Sequence, residues 1–127
     1  MEGVRLGGVD KSSIEVAGRT LLEHALTATS AATEVVVVGN ALPTSRPVTW
    51  TREDPPGGGP AAGLLAGLLA LSTPPDLVCV LAVDMPRFTA DTLTRLQQAA
   101  SSADGACLVD DQHHKQWLAG VYHHDAL

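Results

Sequence analysis

Positive charge is scarce in this chain. Eight Lys and Arg stand against fourteen Asp and Glu, which leaves a formal net charge of −6. With nothing basic and continuous to neutralise phosphates along a strand, a nucleic-acid partner is excluded, and an anionic membrane surface is disfavoured for the same reason. Long apolar runs are missing too: no stretch reaches the roughly 18 residues that a transmembrane helix requires. The N-terminus lacks a basic segment followed by an apolar one, so no secretory signal is expected. Cysteine is limited to Cys79 and Cys107. Each lies inside an apolar run and reads as a small buried hydrophobe, not as a disulfide partner or metal ligand. Aromatic residues amount to 3%, namely Trp50, Phe88, Trp117 and Tyr122. Neither a nucleophile elbow nor a Walker A loop is present. A cytoplasmic protein fits these absences best.

What is there suits one α/β domain spanning residues 1–127. Its 45% hydrophobic content is enough for a real core at this length. Val35–Val38 and Leu77–Ala82 are continuous apolar runs, as expected for strands buried on both faces of a parallel sheet. Val48–Trp50, Ala106–Val109 and Trp117–Tyr122 are further strand candidates. Helical patterns lie between them. Thr20 caps a helix with Glu23 three residues on, and Leu21, Leu22, Ala25 and Leu26 share its apolar face. Ala61–Leu71 is apolar almost throughout, which predicts a helix buried or packed flat on the sheet. Thr89 begins a third helix with Leu93, Leu96 and Ala100 on one face. The alternation predicts a mostly parallel sheet with crossover helices.

Three segments carry candidate chemistry. In Arg5-Leu6-Gly7-Gly8-Val9-Asp10-Lys11, the glycines would let backbone N–H groups approach phosphate oxygens, with Arg5 and Lys11 as countercharge. The same residues also read as a hairpin turn between solvated charges. Asp54, followed by Pro55-Pro56-Gly57-Gly58-Gly59-Pro60, leads into a helix start. Free N–H groups and the positive dipole end there suit a nucleobase or phosphate. Asp54 is able to accept hydrogen bonds from a guanine edge, and it equally suits a rigid surface turn. Asp84, in Val83-Asp84-Met85-Pro86, closes the most apolar strand, where ligands bind in open α/β sheets. One carboxylate there can hold Mg²⁺, and a turn or cap role before Pro86 is the alternative. The pairs His113-His114 and His123-His124 lack the partners and spacing of a tetrahedral metal site and read as exposed loop residues.

In this order the segments resemble the molybdenum-cofactor guanylyltransferase family, the MobA-like nucleotidyltransferases. Arg5, Leu6, Gly7, Gly8, Asp10 and Lys11 match the second half of its opening L-A-G-G-x-x-x-R-M-G-G-x-D-K, with Leu for Met. Val16 to His24 resembles its short strand, turn and first helix. Asp54 with Gly59-Pro60-Ala61-Ala62-Gly63 is similar to D-x-x-x-x-G-P-L-A-G. Asp84-Met85-Pro86 resembles its metal-binding D-x-P turn, and Gln116–Tyr122 a later strand lining the acceptor pocket.

The resemblance implies a three-layer, mostly parallel sheet of the nucleotide-diphospho-sugar transferase (Rossmann-like) type. It implies a Mg²⁺-dependent transfer of GMP from GTP to molybdopterin. Arg5, Lys11 and Asp84 would be catalytic, with Asp84 the metal ligand. Gly7, Gly8, Lys11, Asp54, Gly59, Pro60 and Gly63 would bind the nucleotide. The rival readings are a related cytidylyl- or sugar-nucleotidyltransferase and a truncated, non-catalytic nucleotide-binding module. The first half of the opening signature and the family's closing segment have no counterpart here, so the sheet is expected to lack its usual first strand. That would expose Val35–Val38 or Leu77–Ala82 as an apolar edge, through which a homo-oligomer would form.

Overall fold

The computed structural model describes residues 2–6, 14–52, 59–85 and 87–127. In chain order the strands are β1 (Glu2–Leu6), β2 (Glu15–Val16), β3 (Arg19–Thr20), β4 (Glu34–Val38), β5 (Thr49–Thr51), β6 (Leu77–Ala82), β7 (Gly105–Val109) and β8 (Lys115–His123). The helices are α1 (Leu21–Ala28), α2 (Gly59–Ala70) and α3 (Ala90–Ala100). Six strands form one sheet in the order β5-β4-β1-β6-β8-β7. The first four run parallel, β8 is antiparallel to β6, and β7 is antiparallel to β8. β2 and β3 pair as a separate hairpin, joined at Ala17 and Gly18, both with positive φ, as a tight two-residue turn requires.

The expectation of a missing first strand is overturned. Residues Glu2–Leu6 fill the central position, pairing with β4 on one side and β6 on the other. The physical reason is that β4 and β6 each present a row of backbone donors and acceptors that must be satisfied. Any extended backbone can fill that slot, including one as weakly apolar as Glu-Gly-Val-Arg-Leu. The expected apolar edges vanish with it. β4 lies between β5 and β1, and β6 between β1 and β8, so neither is available for edge pairing.

Helices cover both faces of the parallel strands. On one face α1 and α3 bury Leu22, Leu26, Leu93 and Leu96 against Val35, Val37, Cys79 and Leu81. On the other, Leu64, Leu68 and Leu71 pack on Val38, Val78 and Val80. The caps form as the pattern predicts. The Thr20 hydroxyl accepts from the Glu23 N–H at 3.1 Å, and Thr89 closes a capping box with Thr92. Two details differ from expectation. α2 is not wholly covered: Leu65 and Leu69 face outward, 58% and 77% exposed. His123 is half-buried at the end of β8, its Nε2 2.8 Å from the Ala100 carbonyl oxygen, whereas His113 and His114 are exposed in the β7–β8 turn as expected.

Candidate functional site

The chain runs from β1 through α1 out to β4 and β5, then returns through α2 to β6 on the opposite side of β1. This reversal makes the carboxyl ends of β1 and β6 the topological switch point, where open α/β sheets bind ligands. The register aligns that edge: Leu6 lies level with both Val38 and Ala82, and Val38 with Thr51. Four strands therefore end in one row.

Asp84 stands just beyond that row. Val83, 3% exposed, and Phe88, 5% exposed, anchor the turn on either side, and the Phe88 N–H donates to the Met85 carbonyl at 3.1 Å. Burying the flanking residues fixes the turn and leaves the Asp84 carboxylate exposed to solvent. Among the described residues, no group of three or more His, Cys, Asp or Glu is placed to hold a metal ion. Asp84 is the carboxylate that this strand-end turn offers. That fits a hard cation which keeps most of its waters.

The other predicted residues distribute as follows. Arg5 is the fourth residue of β1, level with Val37 and Leu81, so it belongs to the strand. Gly7, Gly8, Lys11 and Asp54 lie outside the described residues. Gly59 opens α2 with φ +86° and open space where a Cβ would stand. It is required for backbone conformation, because an L side chain is strained there. Pro60 follows in the first turn, where a missing N–H costs nothing. Gly63 is buried one turn further along α2. Because α2 runs between the end of β5 and the start of β6, its N-terminus faces the same edge as Asp84.

One pair at this edge escaped sequence reasoning. Arg52, directly after β5, donates from Nη1 to Asn40 Oδ1, two residues past the end of β4. The Gly39 N–H to Thr51 carbonyl bond, 2.9 Å, ties the same two strand ends. Arg52 is exposed, so it sets a cation on the rim beside the start of α2. The only cue in the sequence was an Arg next to a weak strand candidate.

A mostly parallel open sheet, with helices on both faces of its parallel strands, defines a doubly covered α/β domain. Solved structures share it. The 2-C-methyl-D-erythritol 4-phosphate cytidylyltransferase of Thermus thermophilus superposes with a TM-score of 0.73 at 21% identity, covering 98% of this chain and 71% of that one. The molybdopterin-guanine dinucleotide biosynthesis protein A of Archaeoglobus fulgidus gives 0.68 at 21% identity, covering 97% and 67%. Residues 2–127 match the MobA-like NTP transferase domain, and the chain belongs to that family. The molybdenum cofactor guanylyltransferase of Acidiphilium cryptum (strain JF-5) is 34% identical over 110 residues, covering 80% of this chain and 55% of that protein. The protein of the same name from Bradyrhizobium sp. (strain ORS 278) is 36% identical over 108 residues, covering 79% and 51%. The chain thus spans about half the length of the curated relatives it matches.

Proposed function

We propose that this chain binds GTP at the switch-point edge and serves transfer of its GMP moiety to molybdopterin, a step in molybdenum cofactor biosynthesis. The observation that carries the reading is the register of β1 against β6. It brings the strand end that leads to Gly7, Gly8 and Lys11 level with the strand end that leads to Asp84. Family membership and relatives named as guanylyltransferases support the reaction class. Helices on both faces of a largely parallel sheet support the three-layer, nucleotide-diphospho-sugar transferase type of fold.

In this reading the chain works mainly by positioning and charge neutralisation. Gly7 and Gly8 admit the triphosphate close to the backbone, and Lys11 and Arg5 offset its charge. Asp54 accepts hydrogen bonds from guanine, and the α2 start at Gly59 and Pro60, with Gly63 behind it, receives the nucleotide against free N–H groups. The acceptor's terminal phosphate attacks the α-phosphate and pyrophosphate leaves. Asp84 would hold Mg²⁺, which when bound screens the phosphate charge. The accompanying expectations are a cytoplasmic setting and no nucleic-acid or membrane partner; no described helix is long and apolar enough to cross a membrane. Cytidylyl transfer is the second reading, favoured by the cytidylyltransferase fold match.

Calorimetric titration with GTP, CTP and ATP, with and without Mg²⁺, separates these readings. Selective Mg²⁺-dependent GTP binding, weakened at least about tenfold in Asp84→Ala, is the expected result. Equal affinity in Asp84→Ala removes that residue from the site, and a preference for CTP selects the second reading.

A further inference from the structure

Asn40 and Asp84 leave the sheet at matching heights on either side of β1. Asn40 stands two residues beyond Val38, and Asp84 two residues beyond Ala82, the two partners of Leu6 in the row of strand ends. Their strands, β4 and β6, flank β1 directly. Two inter-strand spacings therefore separate them, roughly 10 Å, about the reach of a nucleotide from its phosphates to its base. With Asp84 on the phosphate side, as the proposed function has it, Asn40 falls on the base side. The chain order agrees, since Asp54, the residue read as accepting from guanine, follows Arg52 by two positions.

Arg52 fixes which end of the Asn40 amide faces a ligand. A guanidinium carries N–H donors and no acceptor, so the carboxamide atom that meets Arg52 Nη1 is Oδ1. A carboxamide has nearly the same shape either way round, and without such a partner it can offer a base its oxygen or its amino group. The backbone supports the pairing: the Gly39 N–H donates to the Thr51 carbonyl at 2.9 Å, tying the residue before Asn40 to the residue before Arg52. With Oδ1 engaged, the Nδ2 hydrogens are what the amide presents on its other branch. They suit the O6 acceptor of guanine and oppose the N6 donor of adenine. We propose that Arg52 is a positioning residue for base choice, holding Asn40 in the orientation that admits a 6-oxopurine and rejects a 6-aminopurine. This inference rests on the GTP reading and adds to it the residue that sets guanine against adenine.

Dissociation constants of Mg²⁺–GTP, Mg²⁺–ITP and Mg²⁺–ATP, measured by calorimetry on the 127-residue chain and on Arg52→Met, test the lock. ITP keeps O6 but lacks the 2-amino group, so it isolates the O6 end of the base. The expected result is a preference for GTP and ITP over ATP that falls at least about tenfold in Arg52→Met, with the GTP-to-ITP ratio unchanged. Loss of a rim cation alone would weaken all three triphosphates together and leave their ratios intact. Arg52→Lys, which also donates and never accepts, should keep most of the preference. Asn40→Asp, which presents only acceptors, should abolish it and serves if the far-UV spectrum shows Arg52→Met to be misfolded. A GTP preference that survives Arg52→Met in a folded chain, or survives Asn40→Asp, overturns the lock and leaves the GTP reading standing. An unsubstituted chain that does not prefer GTP to ATP overturns both.

Discussion

The two sides of the sheet meet water differently. Around β1, β4 and β6, α1 and α3 cover one face and α2 the other, and Val36, Val78 and Val80 are at most 1% exposed. Around β7 and β8, α3 covers one face alone, and Val109 and Trp117 on these strands are 53% and 60% exposed. Antiparallel strands commonly turn one face to solvent, and that face is then polar. Here it is apolar and grooved, with Leu64, Val80, Cys107, Leu118 and Tyr122 among the groove walls. The parallel side is therefore a core closed on both faces with its strand ends aligned by register, whereas the antiparallel side leaves an apolar face open to solvent.

Substitutions that ought to fall unequally on the two sides sharpen this contrast. The largest effect is expected at Leu81, 1% exposed on β6. Leu81→Ala should cost about 2–5 kcal/mol in urea unfolding, because the covered core cannot close over the cavity. Trp117→Ala should change stability by no more than about 0.5 kcal/mol, as exposed positions do. A cost at Trp117 comparable to that at Leu81 would mean that the groove is core.

A smaller effect concerns pH. Burial, with the Cys107 thiol beside it, pushes the Tyr122 phenol up to about 12 from an ordinary value near 10. The folded state thus favours the neutral phenol, whose hydroxyl donates to the Trp117 carbonyl at 2.7 Å. The resulting stabilisation is complete below pH 10 and is lost as pH rises from about 10 towards about 12. Tyr122 is the single tyrosine of the chain, so its absorbance titration reads this directly. Tyr122→Phe should flatten the alkaline limb of stability; an ordinary midpoint near 10 would mean that the phenol is not buried in the groove floor.

The parts legible in the sequence were those set by local pattern. Leu77–Ala82 was recognisable because a continuous apolar run has few other uses. The helices of Thr20 and Thr89 declared themselves by cap and periodicity. β1 was not legible: its five residues contain little that favours a strand, and what orders them is the gap between β4 and β6. Asp84 could be placed at a strand end from sequence, but the alignment of that strand end, Ala82, with Leu6 depends on register, a long-range property. The pairing of Arg52 with Asn40 depends on the alignment of β4 with β5 in the same way. The groove was hidden because no local pattern says which face of β7 and β8 a helix leaves bare.

The central claim is that one edge of the parallel side, at the ends of β1 and β6, receives the nucleotide. Mapping backbone amide shifts by ¹⁵N NMR during a titration with Mg²⁺–GTP tests it most directly. The account predicts shifts concentrated after Leu6, at Val83 and Asp84, around Arg52 and at the start of α2. Shifts confined to the groove between α2 and β8, or to the α1–α3 face, would contradict it.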